Sequence, residues 1–210
     1  MKIIQYWDST DLPDDIASLT ETWKQHNADM NYLMFDKSTA SDYLSDTFGG
    51  FVVDLFLSAR IPAMQSDIFR VGYCLAEGAF YADAASRCIA PVSTLVPDQG
   101  RVLLMKRTNG PVCNGFIACR KNSDALFSIW QNILKNMFRK DIDKIWLASG
   151  PGAYQEIIKD RADLFVIREE AELRNSHFML VGGLSHKGES HWRKRQANES
   201  IYSDTVSRAG

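Results

Sequence analysis

Hydrophobic and polar positions near the start of the chain switch from a short apolar run to helical spacing. Ile3 to Trp7 is an apolar run that predicts a strand. Pro13 suits the first turn of a helix, because Ile16, Leu19 and Trp23 then fall on one face. The chain therefore begins as strand, loop and helix.

The same alternation continues over residues 32–58. Tyr32 to Phe35 predicts a second strand, and Ser38 or Ser41 is positioned to cap the helix that follows. Gly49-Gly50 then predicts a break in the chain. This segment is a second strand and helix pair.

The central part of the chain predicts a helix that leads directly into a strand. Pro62 should begin a helix that runs to about Ala76, with Glu77-Gly78 as its end. The apolar strand 79–82 follows at once. Further strands are predicted at 102–105, 116–119, 164–167 and 178–181, and an amphipathic helix is predicted after Ser123. Such alternation predicts a mainly parallel, Rossmann-like α/β sheet flanked by helices, with ligands at the carboxyl ends of its strands.

Length and composition indicate one domain. The chain has 210 residues, of which 45% are hydrophobic and 24% charged, which is enough for one compact core. We expect residues 1–192 to form this domain and residues 193–210 to form a polar, basic tail. The formal net charge of -2 gives no broad positive field, so nucleic acid is not an expected partner.

The sequence predicts a cytoplasmic protein. Its first residues lack the apolar stretch of a secretion signal, and no apolar run approaches the ~20 residues of a membrane span. The four cysteines, Cys74, Cys88, Cys113 and Cys119, are expected to be reduced core residues. A zinc site built from Cys113, Cys119 and a histidine is the alternative.

Three charged residues are the best candidates for chemistry. Asp67 and Arg70 lie three apart on the predicted helix and hence on one face, and the next strand delivers Asp83 to the sheet edge. Together they could bind sugar hydroxyls and phosphate oxygens, with Asp83 on a ribose or a divalent cation. The alternatives are a structural salt bridge for the pair and a turn cap for Asp83.

The stretch Ser66 to Leu95 resembles a known enzyme signature. It reads SDIFRVGYCLAEGAFYADAASRCIAPVSTL, and it is similar to the glycosyltransferases that carry a DXD sugar-binding motif. These include initiating mannosyltransferases and bacterial capsular or lipopolysaccharide enzymes. The family pattern is an SD-x-x-R helix and a strand ending in Gly-Gly-x-Tyr-x-Asp-x-Asp. The resemblance spans roughly residues 2 to 160, with a looser match at 186–192.

The resemblance implies a GT-A fold and a catalytic role for Asp67, Arg70 and Asp83. It implies transfer of a hexose, with retention of configuration, from a UDP- or GDP-sugar to a saccharide or lipid-linked acceptor in surface polysaccharide biosynthesis. Manganese or magnesium would be the cofactor, with Asp83 as a ligand. The donor-binding residues implied by the match are Tyr6, Trp7, Asp67, Arg70, Asp83, Asn114, His186, Lys187, Ser190 and Trp192.

The sequence departs from the family at two positions. The second aspartate of the motif is Ala85, whose methyl group cannot coordinate a cation, and Gly-Gly has become Gly78-Ala79. Either basic residues such as Lys187 and His186 neutralise the diphosphate, or the protein is a non-catalytic relative that binds a sugar or glycan beside a partner enzyme.

Some assignments remain open at this stage. Asn114 could bind hydroxyls or simply form a turn with Gly115. Trp130 and Trp146 are expected in the core. Residues 193–195 are basic, which indicates possible peripheral contact with the inner face of a membrane. The oligomeric state is not predicted.

Overall fold

The computed structural model describes residues 1–184 and 192–203. The strands of this part of the chain are β1 Lys2–Tyr6, β2 Asn31–Phe35, β3 Gly78–Ala82, β4 Ser86–Cys88, β5 Val102–Lys106, β6 Val112–Arg120, β7 Phe165–Glu169 and β8 Phe178–Leu180. The helices are α1 Asp14–His26, α2 Lys37–Phe48, α3 Gly50–Ser58, α4 Pro62–Glu77, α5 Asp124–Arg139, α6 Ile145–Ala148, α7 Gly152–Asp160, α8 Glu170–Ser176 and α9 Trp192–Asn198. Short 3₁₀ turns lie at Ser93–Leu95 and Ala162–Leu164.

Six strands form the central sheet, in the order β2-β1-β3-β6-β5-β7. Only β6 runs against the other five, because it pairs antiparallel with both β3 and β5. Helices flank the sheet, and the predicted mainly parallel α/β fold is confirmed. The strand predicted at 178–181 lies elsewhere, since β8 pairs with β4 in a separate two-stranded sheet.

Most predicted elements near the N-terminus are present, with two differences. Ser38 and Ser41 do not cap α2. Asp36 does, because its carboxylate accepts from the Thr39 amide at 2.8 Å while Thr39 Oγ1 accepts from the Asp36 amide, which is a capping box. A break was predicted at Gly49-Gly50, and Gly49, with a φ of 82°, does end α2; the helix α3 that begins at Gly50 was not predicted.

The connection between α4 and β3 positions the candidate residues. Helix α4 is buried along almost its whole length, and its end at Gly78 has a φ of 69°. A Cβ on Gly78 would lie 2.4 Å from the Lys121 backbone nitrogen, so a side chain has no room there. Glycine therefore allows the chain to leave α4 and enter the centre of the sheet within one residue.

The segment predicted as a polar tail is partly packed against the domain. Residues 192–198 form α9, and the chain beyond it pairs with 58–60 through hydrogen bonds from Arg60 N to Ile201 O (2.9 Å) and from Ser203 N to Ser58 O (2.8 Å). Ile201 and Tyr202 are buried. Two apolar residues within a polar sequence were enough to anchor this segment.

The helices of residues 1–184 and 192–203 are all too short or too polar to cross a membrane.

Candidate active site

A cleft of about 580 Å³ opens where the carboxyl ends of β1 and β3 meet the start of β6. Because β6 runs in the opposite direction, its first residues lie at the same sheet edge as the last residues of β1 and β3. The first turn of α4 and residues from α6 to Pro151 line the opposite sides, and α9 lies at the rim. This is the sheet edge at which the parallel pattern predicts ligand binding.

Asp67, Arg70 and Asp83 meet in this cleft. Arg70 Nη2 lies 3.2 Å from Asp67 Oδ1, and Arg70 Nη1 lies 3.1 Å from Asp83 Oδ1. Asp67 and Arg70 are buried, with 5% and 4% exposure, whereas the Asp83 side chain is 37% exposed. The guanidinium therefore bridges an inner and an outer carboxylate.

Further polar groups fix the inner carboxylate. Asn114 Nδ2 donates to Asp67 Oδ1 at 2.8 Å, and Ser149 Oγ donates to Asp67 Oδ2 at 2.9 Å. Arg70 Nη1 also donates to the Asn114 carbonyl. Both oxygens of Asp67 are thus engaged, so that its main effect on a ligand is to orient Arg70.

A chain of hydroxyl groups holds the outer carboxylate. Arg70 Nη2 donates to Ser66 Oγ (2.9 Å), which is 2.8 Å from the Tyr81 hydroxyl, and Tyr81 donates to Asp83 Oδ1 (2.9 Å). Gly115 lies directly beneath, since a Cβ there would be 2.7 Å from Asp83 Oδ2. Only a glycine lets the β6 backbone approach the carboxylate this closely.

The buried charges shift the pKa values of the pair. Burial raises the pKa of Asp67 to about 6, although Arg70, Ser149 and Asn114 favour its ionised form. Burial lowers the pKa of Arg70, but Tyr81, Asp83 and Asp67 raise it by more, so the guanidinium stays charged. The cleft therefore holds a permanent cation next to an acid that titrates just below neutral pH.

Other residues expected at a donor site also lie here. Tyr6, Trp7, Asn114 and Trp192 line the cleft, although the Tyr6 hydroxyl is taken up by a hydrogen bond to Gln65 Oε1 at 3.1 Å. Tyr6 therefore contributes its ring and not a free hydroxyl. His186, Lys187 and Ser190 lie outside the described residues.

The sequence analysis missed several residues of the site. Trp146 was expected in the core, but it is only partly buried and lines the cleft, whereas Trp130 is buried as expected. Arg107 also lines the cleft, from the turn between β5 and β6. Ser149 lies within the span of residues 2 to 160 that resembles the family, but it was not singled out as a site residue. Nothing in the local pattern singled out Arg107.

The described residues do not assemble a metal centre. Asp67 has both oxygens engaged, Ala85 has no ligand atom, and Asp83 Oδ1 already faces Arg70 and Tyr81. No group of three or more His, Cys, Asp or Glu suited to a metal occurs in residues 1–184 and 192–203. A cation at Asp83 would lie against the Arg70 guanidinium, so these residues do not fit the metal that the resemblance implies.

Three of the four cysteines are buried, as predicted, whereas Cys113 is only partly buried. Cys119 is buried and its thiol lies 3.3 Å from the Cys74 carbonyl, while Cys113 lines the cleft. Cys88 is buried beside Asn27.

Comparisons with known proteins identify the fold. No protein-family model matches the chain, and no curated protein matches it by sequence. Among solved structures, the PaToxG glycosyltransferase is similar with a TM-score of 0.65 and 15% identity, over 77% of this chain and 69% of that one. The ligand-free glycosyltransferase domain from the YGT toxin has a TM-score of 0.56 and 9% identity, over 80% and 79%. A glycosyltransferase involved in the glycosylation of the major capsid of PBCV-1 has a TM-score of 0.51 and 7% identity, over 89% and 95%.

These similarities establish a glycosyltransferase fold of the GT-A-like kind, as the resemblance implied. At such identities they speak for the fold alone. Activity, substrate and mechanism have to be argued from the site.

Proposed function

We propose that the protein is a glycosyltransferase that transfers a hexose from a nucleotide sugar, a UDP- or GDP-hexose, to a saccharide or lipid-linked acceptor. The observation that carries this proposal is the Asp67–Arg70–Asp83 network, because it lies in a cleft of about 580 Å³ at the carboxyl ends of β1 and β3. That volume is in the range of small-molecule sites, and it combines aromatic walls with a few convergent polar groups.

The reaction requires positioning and charge stabilisation. The bond from sugar C1 to the diphosphate oxygen breaks, a bond from C1 to the acceptor oxygen forms, and the acceptor proton ends on the departing diphosphate. The protein has to hold the donor, stabilise negative charge on the diphosphate and exclude water. A nucleophile activated by a base is not essential to such a design.

Each residue of the network has a role that follows from its exposure. Asp83, the most exposed of the three, accepts hydrogen bonds from donor hydroxyls. Arg70 is held in place by two carboxylates, and its charge offsets negative charge on the donor. Asp67 acts through Arg70. Trp7 and Trp146 supply aromatic faces on which a base or sugar ring can pack.

The fold and the resemblance support further detail of the proposal. Transfer with retention of configuration and a role in surface polysaccharide biosynthesis belong to the resembling family, and we extend both to this chain as proposals. A lipid-linked acceptor would bring the protein to the inner face of a membrane.

The test is release of nucleoside diphosphate from a panel of UDP- and GDP-hexoses by the purified protein. We expect turnover with at least one donor. Asp83→Asn should lower kcat/KM by about tenfold or more, because the amide carries no charge and offers fewer hydrogen-bond acceptor positions to the hydroxyls of the nucleotide sugar. Asp98→Asn, an exposed acid that does not line the cleft, is the matched control and should leave turnover unchanged.

Two results would contradict the proposal. One is the absence of binding and turnover with every donor, and the other is a D83N variant that turns over like the wild type. Donor binding by calorimetry without hydrolysis or transfer would instead indicate the non-catalytic relative that Ala85 suggests.

A further inference from the structure

We propose that this cleft binds the diphosphate of its donor without a divalent cation, using the guanidinium groups of Arg107 and Arg193 in place of a metal. This inference rests on the proposed nucleotide-sugar donor and specifies how its charge is neutralised. It departs from the metal dependence that the sequence resemblance implies.

The first step is that Asp67 and the Oδ1 atom of Asp83 already have partners within the chain. Asp83 shares its Oδ1 with Arg70 at 3.1 Å and with Tyr81 at 2.9 Å, and the oxygens of Asp67 are bonded to Asn114 and Ser149. A divalent cation bound at these carboxylates would have to displace the buried guanidinium of Arg70 or be repelled by its positive charge. The local charge pattern thus disfavours a cation at the carboxylates.

The second step is that arginines line the cleft from separate elements. Arg107 comes from the β5-β6 turn, and Arg193 and Arg195 come from α9. Together with Arg70, four arginines and three aspartates (Asp8, Asp67 and Asp83) line the described part of the cleft. With the three aspartates ionised at neutral pH, the four guanidinium groups exceed the carboxylates among these residues by one charge.

Arg107 is held in a fixed orientation. Its Nη1 lies 2.9 Å from Glu170 Oε1, and Glu170 Oε2 accepts from the Thr108 amide at 3.4 Å. The Glu170 side chain is only 12% exposed, whereas that of Arg107 is 45% exposed. One nitrogen is therefore anchored at Glu170, and the guanidinium also interacts with the Cys113 thiol, which lines the same cleft.

The Cys113 thiol links Arg107 to the candidate catalytic residues. Burial and then the charge of Asp83 raise the pKa of Cys113, while the charges of Arg107 and Arg70 act to lower it. Cys113 is therefore within electrostatic reach of all three side chains. Arg107, Cys113 and Asp83 all line the same cleft.

Arg193 and Arg195 line the cleft from α9. The Arg193 guanidinium lies over the Trp192 ring, 5.2 Å from its centroid, and Arg195 is paired with Glu199 and with the Arg60 carbonyl. Arg195 is thus held by contacts within the chain, and the Arg193 side chain is solvent-exposed. A planar guanidinium can bind two phosphate oxygens at once, and two such groups that line one cleft suit a diphosphate.

The test measures binding of UDP and GDP to the full chain by calorimetry, first in EDTA and then with added manganese. We expect at least one of the two nucleotides to bind, and its affinity to be the same in EDTA and in manganese. Arg107→Gln and Arg193→Gln should each weaken binding by about tenfold or more, because each removes charged hydrogen bonds to phosphate. Arg107→Lys should fall between, since it keeps the charge and loses the two-pronged geometry.

Arg168→Gln is the matched control for Arg107. Arg168 is paired with Glu172 at 3.1 Å, its side chain is 47% exposed, and it does not line the cleft. Its substitution should not change the affinity. Circular dichroism melting of each variant separates loss of a ligand contact from loss of the fold.

The possible failures are distinguishable. Binding that is lost in EDTA and restored by manganese would overturn this inference and leave the proposed function intact. If Arg107→Gln and Arg193→Gln both bound the nucleotide with wild-type affinity, this inference would be overturned and the proposed function would stand. No binding of either nucleotide under either condition would overturn both.

Discussion

Replacing Arg70 by methionine removes the one buried cation between Asp67 and Asp83. Methionine fills a similar volume, so the main change is electrostatic. Asp83 keeps access to solvent, but Asp67 is left as a buried carboxylate with only Asn114 and Ser149 as partners. The variant also loses the hydrogen bonds of Arg70 to Ser66 and to the Asn114 carbonyl, so the pH-dependent part of its stability loss reports the free energy of holding that charge in the core.

The expected loss of stability depends on pH. Breaking a buried ion pair on one side costs about 3–5 kcal/mol. Asp67 already has a pKa of about 6, raised by burial, and losing Arg70 raises it further. A group whose folded pKa is raised above its unfolded value contributes most below the unfolded pKa, and this contribution falls as pH rises toward the folded pKa.

In the wild type this fall spans the interval from 3.8 to about 6, whereas in Arg70→Met it extends to higher pH. The difference in unfolding free energy between the two proteins should therefore grow above pH 6. Because one proton is involved, this difference in unfolding free energy can grow by at most about 1.4 kcal/mol per pH unit. The variant should be closest to the wild type near pH 5 and furthest from it near pH 8.

Urea unfolding at pH 5 and pH 8 measures this difference. The double variant Asp67→Asn/Arg70→Met removes the buried charge as well, so it should lack the added pH dependence and be more stable than Arg70→Met at pH 8. An R70M deficit of equal size at both pH values would refute the reasoning, because it would show that lost packing and not the Asp67 charge sets the cost.

Two other substitutions test the geometry of the fold and the site. Gly115→Ala places a Cβ 2.7 Å from Asp83 Oδ2, so turnover of the sugar donor should fall by about tenfold or more, with little change in melting temperature. Gly50→Ala is the control, because a Cβ there meets nothing within 4 Å. Equal turnover of the two variants would contradict the assignment of Asp83 to the site. Ile201→Ala should lower the unfolding free energy by about 2–4 kcal/mol, because Ile201 is 2% exposed. The exposed Leu147→Ala should cost far less, and a similar loss at both positions, measured by urea unfolding, would show that the C-terminal segment is not anchored as described.

The local pattern was sufficient for the elements that carry the site. Helical spacing from Pro62 and the glycine at its end predicted α4 and β3 to within a residue or two, because proline and glycine restrict the backbone wherever they occur. The i, i+3 spacing of Asp67 and Arg70 fixed their common face in the same way. The fold class followed from the alternation of these elements.

Other features depended on groups that are distant in the sequence. Arg107 and Trp146 reach the cleft only because the β5-β6 turn and α6 fold over the same sheet edge, and each lies far from α4 along the chain. Ser149 contacts Asp67 across 82 positions. The spacing of hydrophobic and polar residues along the chain does not predict contacts between such distant positions.

The features that the sequence predicted differ from those that it missed in the range of the forces involved. Backbone sterics and side-chain periodicity act within a few residues, so the sequence predicted the bounds and the common face of elements such as α4 and β3. Burial and pairing of charges depend on which surfaces meet after folding. Only the assembled cleft therefore showed that Arg70 lies between two carboxylates and that Asp67 has a pKa of about 6.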